Sequence, residues 1–519
     1  MKRLLSASLV AAALAVPGVE ATAGPPAEQL YLENCAECHG ADRLGGMGPA
    51  LLPESLRRLR REAALDVIAN GRPATQMPAF GETLAAADIE ALAALIYSPL
   101  PTTPRWGVEE TAASRIVHVD PASLPDAPGH DADPKNLFIV VEGGDHHMTV
   151  LDGDRFEPLA RFPTRFALHG GAKFSPDGRF AFLASRDGWV AKYDLHSLQL
   201  VAEVRAGINT RNIAISGDGR YIAVANYLPH SLMLLDAGDL RPIKAITAKS
   251  LQGETSRVSA VYAADPRGSF VVALKDVPEM WEVSWEDRPP ARFAGFVHSY
   301  EMGHEEGTET GRFPVRRIEL GEPLDDFFFD QAYRHVFGAS RDGGKAVVVH
   351  MDVGREIAEV PLPGMPHLGS GITFDYRGRR VLATPHLKEG KVSVIDMQSW
   401  EVVKVIDTLG PGFFMRSHEN SPYAWVDVFF GPHRDAMHVI DKKTLEIVET
   451  LRPAPGKTAA HIEFTRDGRY ALLSIWDMDG AIVVYDGGTL EEVKRIPFVK
   501  PVGKYNVWNK ITRSEGTSH

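Results

Sequence analysis

Apolar positions follow two different periods along this chain, with a proline-rich break between them. Before residue 100 they recur with helical spacing, which predicts helices over Glu28–Asn34, Arg57–Asn70 and Ala85–Tyr97. The segment Ser98-Pro99-Leu100-Pro101-Thr102-Thr103-Pro104 cannot continue a helix and reads as a rigid linker. Beyond it, apolar and polar residues alternate in short runs bounded by turn residues, the pattern of strands.

The strand region repeats itself. Ser175-Pro176-Asp177-Gly178-Arg179 precedes strand Phe180–Ser185 and then Val190–Asp194. Ser216-Gly217-Asp218-Gly219-Arg220 precedes Tyr221–Asn226 and Leu232–Asp236, and Thr465-Arg466-Asp467-Gly468-Arg469 precedes Tyr470–Ile475 and Ile482–Asp486. Similar strand-ending acids stand at Asp152, Asp352, Asp396 and Asp441. The spacing of about 42 to 45 residues is that of a four-stranded propeller blade. Two longer, divergent blades are expected between Asp236 and Asp352, which brings the count to eight. The expected fold is a small all-α class I cytochrome c domain over residues 24–100, followed by an all-β eight-bladed propeller over 101–519.

The first residues add a leader. Met1-Lys2-Arg3 is basic, Leu4–Val16 is apolar but short for a bilayer, and Ala21-Thr22-Ala23 has the form of a cleavage site. This predicts a signal peptide over 1–23 and a periplasmic, soluble mature protein; the alternative is an uncleaved anchor. The net charge of -12 offers no electrostatic footprint for nucleic acid.

The chain has two cysteines, and both lie in Cys35-Ala36-Glu37-Cys38-His39. C-x-x-C-H is the attachment motif of a c-type haem: two thiols hold one porphyrin and His39 ligates the iron. A zinc site would need a second cysteine pair, and a disulfide this short closes almost no loop. Met77, before Pro78 and ahead of the last helix, is the expected sixth ligand, with Met47 as its rival.

Histidines recur near blade starts: His169, His367, His386, His418 and His461. They are expected to converge on one mouth of the channel, where imidazole can ligate iron or move protons. Arg186, Arg211 and Arg257 stand early in successive blades, and their guanidinium groups suit a carboxylated ligand.

These segments together resemble the cytochrome cd1 nitrite reductase family, whose propeller binds haem d1. Phe166-Ala167-Leu168-His169 looks like its proximal-ligand segment, which implies His169 as ligand of the haem d1 iron. Pro366-His367-Leu368-Gly369-Ser370-Gly371 looks like a distal-pocket segment. Phe413–His418 and Gly503–Asn509 follow the family pattern, and Arg186, Arg211 and Arg257 fall where it binds haem d1 carboxylates. The family's second distal histidine has no counterpart in Pro323-Leu324-Asp325-Asp326-Phe327-Phe328-Phe329-Asp330.

That departure makes the chain more similar to the biosynthetic branch of the family, the dihydro-haem d1 dehydrogenases. The resemblance implies one covalent haem c, and haem d1 or dihydro-haem d1 bound non-covalently as product or substrate. It also implies desaturation of a propionate to an acrylate, with electrons passing to the c-haem. His367, His418 and Tyr227 are the candidate proton handlers. Implied partners are the tetrapyrrole, a soluble periplasmic electron acceptor, and nitrite reductase as recipient of haem d1. Nitrite reduction, or haem d1 carriage without chemistry, are the competing readings.

Overall fold

The computed structural model describes residues 26–57, 59–72, 77–290, 293, 296–298, 305–307, 311–339, 344–362 and 364–513. The expected signal peptide lies outside these residues.

Eight four-stranded antiparallel units form a ring. In chain order, blades 1 to 7 span Leu168–Arg205, Asn209–Thr247, Val258–Glu319, Asp326–Pro361, Ile372–Asp407, Met415–Leu451 and Ala459–Phe498. Blade 8 joins the two ends of the array. Its innermost strand is Pro501–Asn506, which pairs with Leu137–Glu142, Phe138 opposite Asn506. The first strands of neighbouring blades lie against one another around most of the ring, and the fourth strands face outward. An extra strand, Ile116–Val117, adds to the outer edge of blade 1.

The repeat signatures have a local cause. In Ser175–Arg179, Asp177 accepts from the Ser175 hydroxyl at 2.5 Å and the Arg179 amide at 3.0 Å. Asp218 and Asp467 make the same bonds in their turns. Gly178 has φ 73°, a conformation that glycine adopts without strain. Each such turn joins the first and second strands of a blade. The strand-ending acids cap the next turn: Asp236 accepts from Gly238 N and Asp441 from Lys443 N, at 2.7 and 2.8 Å. Asp352 does not end a strand. It lies in the turn after Lys345–His350, where it takes a bond from Arg267 at 2.8 Å.

Blade 3 and the first three strands of blade 4 fill Asp236 to Asp352, two blades as expected, but only one of them is long. Blade 3 carries the extra length between its third strand, Glu279–Ser284, and its fourth, Val315–Glu319. Blade 4, Asp326–Pro361, has ordinary length. Side chains packed between adjacent blades form the core; Trp281, Phe270, Phe327 and Phe329 are completely buried.

The N-terminal unit has helices Ala27–Asn34, Ala36–His39, Pro53–Leu56, Arg61–Asn70 and Ala86–Ile96. Leu30, Tyr31, Ile68, Leu92 and Ile96 fill its core. The expected helix from Arg57 begins at Arg61 instead. Arg60 is extended, and the Leu59 carbonyl accepts from Tyr97 OH rather than from a helical amide.

Candidate functional site

The cysteine motif opens a short helix, Ala36–His39, with Cys35 just before it, and both thiols are half-buried. His39 is buried, and its Nδ1 lies 2.8 Å from the Pro49 carbonyl. A carbonyl only accepts, so Nδ1 carries the proton and Nε2 keeps the lone pair that an iron needs. Burial lowers the pKa of His39 and favours that neutral ring. A Cβ on Gly48 would stand 2.7 Å from the ring, so the imidazole rests directly on backbone. These residues fit a covalent haem c. Met77 is half-buried, whereas Met47 is exposed, which favours Met77 as the sixth ligand.

The haem loop leans on the propeller. Arg205 of blade 1 donates to the carbonyls of Leu44 and Gly45 and, at 2.9 Å, to that of Asp187. Its guanidinium covers the Trp106 ring, whose Nε1 donates to the Arg205 carbonyl at 2.8 Å. Ala50 and Leu52 pack with Ile208 and Leu228 between blades 1 and 2. Arg72 lies over Phe166.

That contact marks one mouth of the channel, where the first strands begin. Arg186, Arg257 and Lys275 surround the ring of Tyr227, at 5.9, 5.5 and 5.8 Å. Cations grouped on an aromatic face at a cavity rim suit a carboxylated, planar ligand. Arg257 is itself paired with Asp276, Nε to Oδ2 at 2.9 Å, and Lys275 with Asp325. Arg211 is the extra residue at an irregularity of its strand, between Thr210 and Asn212, which pair with Asn226 and Ala225. Blade 1 shows a larger bulge. His169 pairs with Ala184 and Lys173 with Phe182, so Gly170 and Gly171 bow out with φ of 82° and 73°. The backbone of His169 therefore stands at this mouth; its side chain lies outside the described structure.

His367 reaches the same mouth just before the first strand of blade 5. Its Nδ1 lies 2.5 Å from the Phe413 carbonyl and 2.8 Å from Ser370 Oγ. Its ring packs on Phe413 with centroids 4.3 Å apart. By the reasoning applied to His39, the neutral ring keeps its lone pair on Nε2. Burial lowers the pKa of His367, while Asp326 opposes that shift. His461 is also buried here, between Phe414 and Tyr505, and among the described residues its Nδ1 has no hydrogen-bond partner. Beside it, Asp427 accepts from the amides of Phe413 and Phe414 at 2.7 and 3.0 Å. Burial raises Asp427 to about 7 and lowers its neighbour Lys504 to about 7.

His418 does not join them. It follows Ser417, the last residue of blade 6's first strand, so it stands at the opposite mouth. Nε2 donates to Arg466 O at 3.2 Å and Nδ1 accepts from Asn420 N at 3.1 Å. Its ring caps the turn at Gly468 and is not a proton handler in this channel. His386 is structural too, bonded to Ser393 Oγ at 2.9 Å. Sequence reasoning missed Asp326, Tyr262, Lys275 and Arg205. Their partners lie on other blades or in the other domain, so spacing carries no signal for them.

The sequence model described as "Cytochrome D1 heme domain" matches residues 132–304 and 304–510. The chain belongs to the cytochrome d1 haem-domain family. A second model, described as "Cytochrome C oxidase, cbb3-type, subunit III", matches residues 23–96, and the N-terminal unit is a cytochrome c domain. The family member "Dihydro-heme d1 dehydrogenase" of Pseudomonas aeruginosa is 55% identical over 503 residues, covering 97% of this chain and 98% of that protein. The "Nitrite reductase" of Stutzerimonas stutzeri is 25% identical over 556 residues, covering 97% and 96%. The solved structure "Dihydro-heme d1 dehydrogenase NirN in complex with DHE" superposes with a TM-score of 0.88 at 55% identity, covering 94% of this chain and all of that one.

Proposed function

We propose that this protein oxidises dihydro-haem d1 to haem d1 by converting one propionate side chain to an acrylate. Two C–H bonds break, one C=C bond forms, and two electrons and two protons leave the substrate. The observation that carries this reading is the seat of the cytochrome domain. The haem-binding loop at Leu44–Leu52 rests on the same propeller mouth that holds Arg186, Arg211, Tyr227 and His367. Full-length identity to a dihydro-haem d1 dehydrogenase supports the same substrate.

The chain's own groups have separable tasks. Arg186, Arg211, Arg257 and Tyr227 bind and orient the carboxylates of the substrate, and His169 ligates its iron. His367 accepts one of the two protons from the side chain at Nε2, the nitrogen left basic by the bond from Nδ1 to Phe413, and the other passes to solvent water. Cys35, Cys38, His39 and Met77 hold haem c, which accepts single electrons and passes them to a soluble redox protein. Secretion by residues 1–23 places the reaction in the periplasm, with nitrite reductase as recipient of the product. Among the described residues, no helix is long and apolar enough to cross a membrane.

Anaerobic addition of dihydro-haem d1 tests the proposal. The substrate bands should give way to those of haem d1, with reduction of the c-haem in the same mixing experiment. Nitrite turnover without dihydro-haem oxidation would instead assign a reductase. Tight binding with neither reaction would assign a carrier.

A further inference from the structure

The C-terminal helix, Val507–Thr512, lies across the mouth of the channel opposite the tetrapyrrole site. Asn506 Oδ1 accepts from Asn509 N at 3.2 Å and starts this helix where the last inner strand ends. At the other end, Arg513 Nη1 donates to Asp265 Oδ2 at 3.1 Å, in the turn after blade 3's first strand, and to Tyr333 OH of blade 4 at 3.4 Å. The helix thus reaches from blade 8 to blades 3 and 4. Against it lies a cavity of about 110 Å³, whose walls include Lys173, Ser216, Tyr262, Lys510 and Arg513. A space of that size holds several waters or one tetrahedral oxyanion, and it is too small for a nucleotide.

Four cations meet around this cavity. Lys173 stands on the inner strand of blade 1 and Arg416 on that of blade 6, while Lys510 and Arg513 belong to the helix and its end. They are near enough to act on one another. Burial lowers the pKa of Lys510 well below the usual lysine value, and Arg416 and Lys173 add to that shift. The carboxylates that act on the group are Glu463, Asp265 and, from the tetrapyrrole side, Asp326. Glu463 Oε2 lies 3.4 Å from Arg416 Nη2 and 3.6 Å from Lys510 Nζ, and Asp265 pairs with Arg513. Lys173 is different. It lines the cavity, and among the described residues its ammonium group makes no hydrogen bond or ion pair. An enclosed cation without a partner is costly, and its three N–H donors remain open to an anion.

We propose that this cavity binds one small inorganic oxyanion of the phosphate or sulfate class, held by Lys173, Lys510 and Arg513 with Arg416 behind them. The ion supplies the counter-charge that Lys173 lacks, and it ties the C-terminal helix to the inner strand of blade 1. Charge-assisted bonds from ammonium and guanidinium groups are the usual means of holding such an ion. The tetrapyrrole enters at the other mouth, so the two ligands occupy separate sites. Nothing in this site depends on the dehydrogenase reading.

Equilibrium dialysis of the full-length protein against radiolabelled inorganic phosphate tests this. The protein is loaded with haem d1, so that Arg186, Arg211 and Arg257 are occupied and cannot take the ion. Wild type should bind one phosphate per chain with a Kd below about 1 mM. Sulfate should displace it, whereas chloride at equal ionic strength should not, since screening alone would act through any salt. Lys173→Met and Lys510→Met should each weaken binding about 10-fold or more, the usual cost of losing a bond between charged groups. Lys510 supports the helix, so Lys510→Met can fail to fold; Lys173→Met then decides alone, with its fold checked by far-ultraviolet dichroism and the c-haem spectrum. Absence of saturable binding up to about 10 mM phosphate would overturn the proposal, as would wild-type affinity in folded Lys173→Met. Binding that disappears when haem d1 is loaded would place the ion on the arginines of the other mouth and overturn it equally.

Discussion

Pro49 and His39 form the contact that defines the haem c ligand. The Pro49 carbonyl accepts from Nδ1 at 2.8 Å, and the ring is pressed against Gly48. This one hydrogen bond sets the tautomer and the orientation of the imidazole.

A side chain at Gly48 has no room there. Gly48→Ala should displace His39, lower the stability of the cytochrome domain by about 1–3 kcal/mol, and disturb the low-spin haem spectrum. Thermal unfolding followed at the haem bands and in the far ultraviolet separates the two domains. A normal spectrum in this variant would show that the ring does not rest where the structure puts it.

The two methionines differ in exposure and should differ in effect. Met77→Ala should open or replace the sixth site of the c-haem, visible as loss of low-spin character. Met47, at 58% exposure, should be replaceable by Ala with no spectral change. The reverse result would transfer the ligand role to Met47.

His367 and His418 should separate cleanly. His367→Ala should reduce kcat by about 10²–10⁴-fold with substrate still bound. His418→Ala removes two part-buried hydrogen bonds at the far mouth, so it should cost about 1–3 kcal/mol of stability and leave kcat near wild type. Denaturant unfolding and steady-state rates on both variants decide this. A kinetic defect in stable His418→Ala would restore it to the catalytic list.

Arg205 joins the haem loop to the propeller through Leu44, Gly45 and Asp187. Arg205→Gln keeps some bonding but loses the charge and the stacking on Trp106. Electron arrival at the c-haem after substrate binding should slow, while the substrate Kd stays within about twofold, since Arg205 does not line the tetrapyrrole site. Stopped-flow spectra at the c-haem bands measure the first and titration the second. An unchanged rate would mean that docking does not depend on this residue.

Lys173 lies inside the channel, and burial, reinforced by Arg513 and Arg416, lowers its pKa to about 7. A lysine depressed in the folded state favours folding most above its unfolded pKa of about 10.4. That contribution is lost as pH falls toward 7, at no more than about 1.4 kcal/mol per pH unit. Substrate-free Lys173→Met should lack this slope and gain stability over wild type between pH 10 and 7, as read by denaturant midpoints. Parallel stability–pH curves for the two proteins would refute the assignment.

The chain alone determines what is local or periodic. Cys35, Cys38 and His39 are adjacent, so their chemistry shows in five residues. The Asp-Gly-Arg turns form through bonds among neighbours, so the blades can be counted along the chain, with Gly503–Asn509 carrying the last inner strand. Other features required the ring to close. His367 and His418 look equivalent in sequence, but one precedes an inner strand and the other ends one. The inner strands all run the same way through the channel, so that difference puts the two histidines at opposite mouths. Asp326 reads in the sequence as a missing histidine. Only the packing of blades 3, 4 and 5 makes it the partner of His367 and Tyr262, because burial forces its oxygens to find donors on whichever chain segments come near.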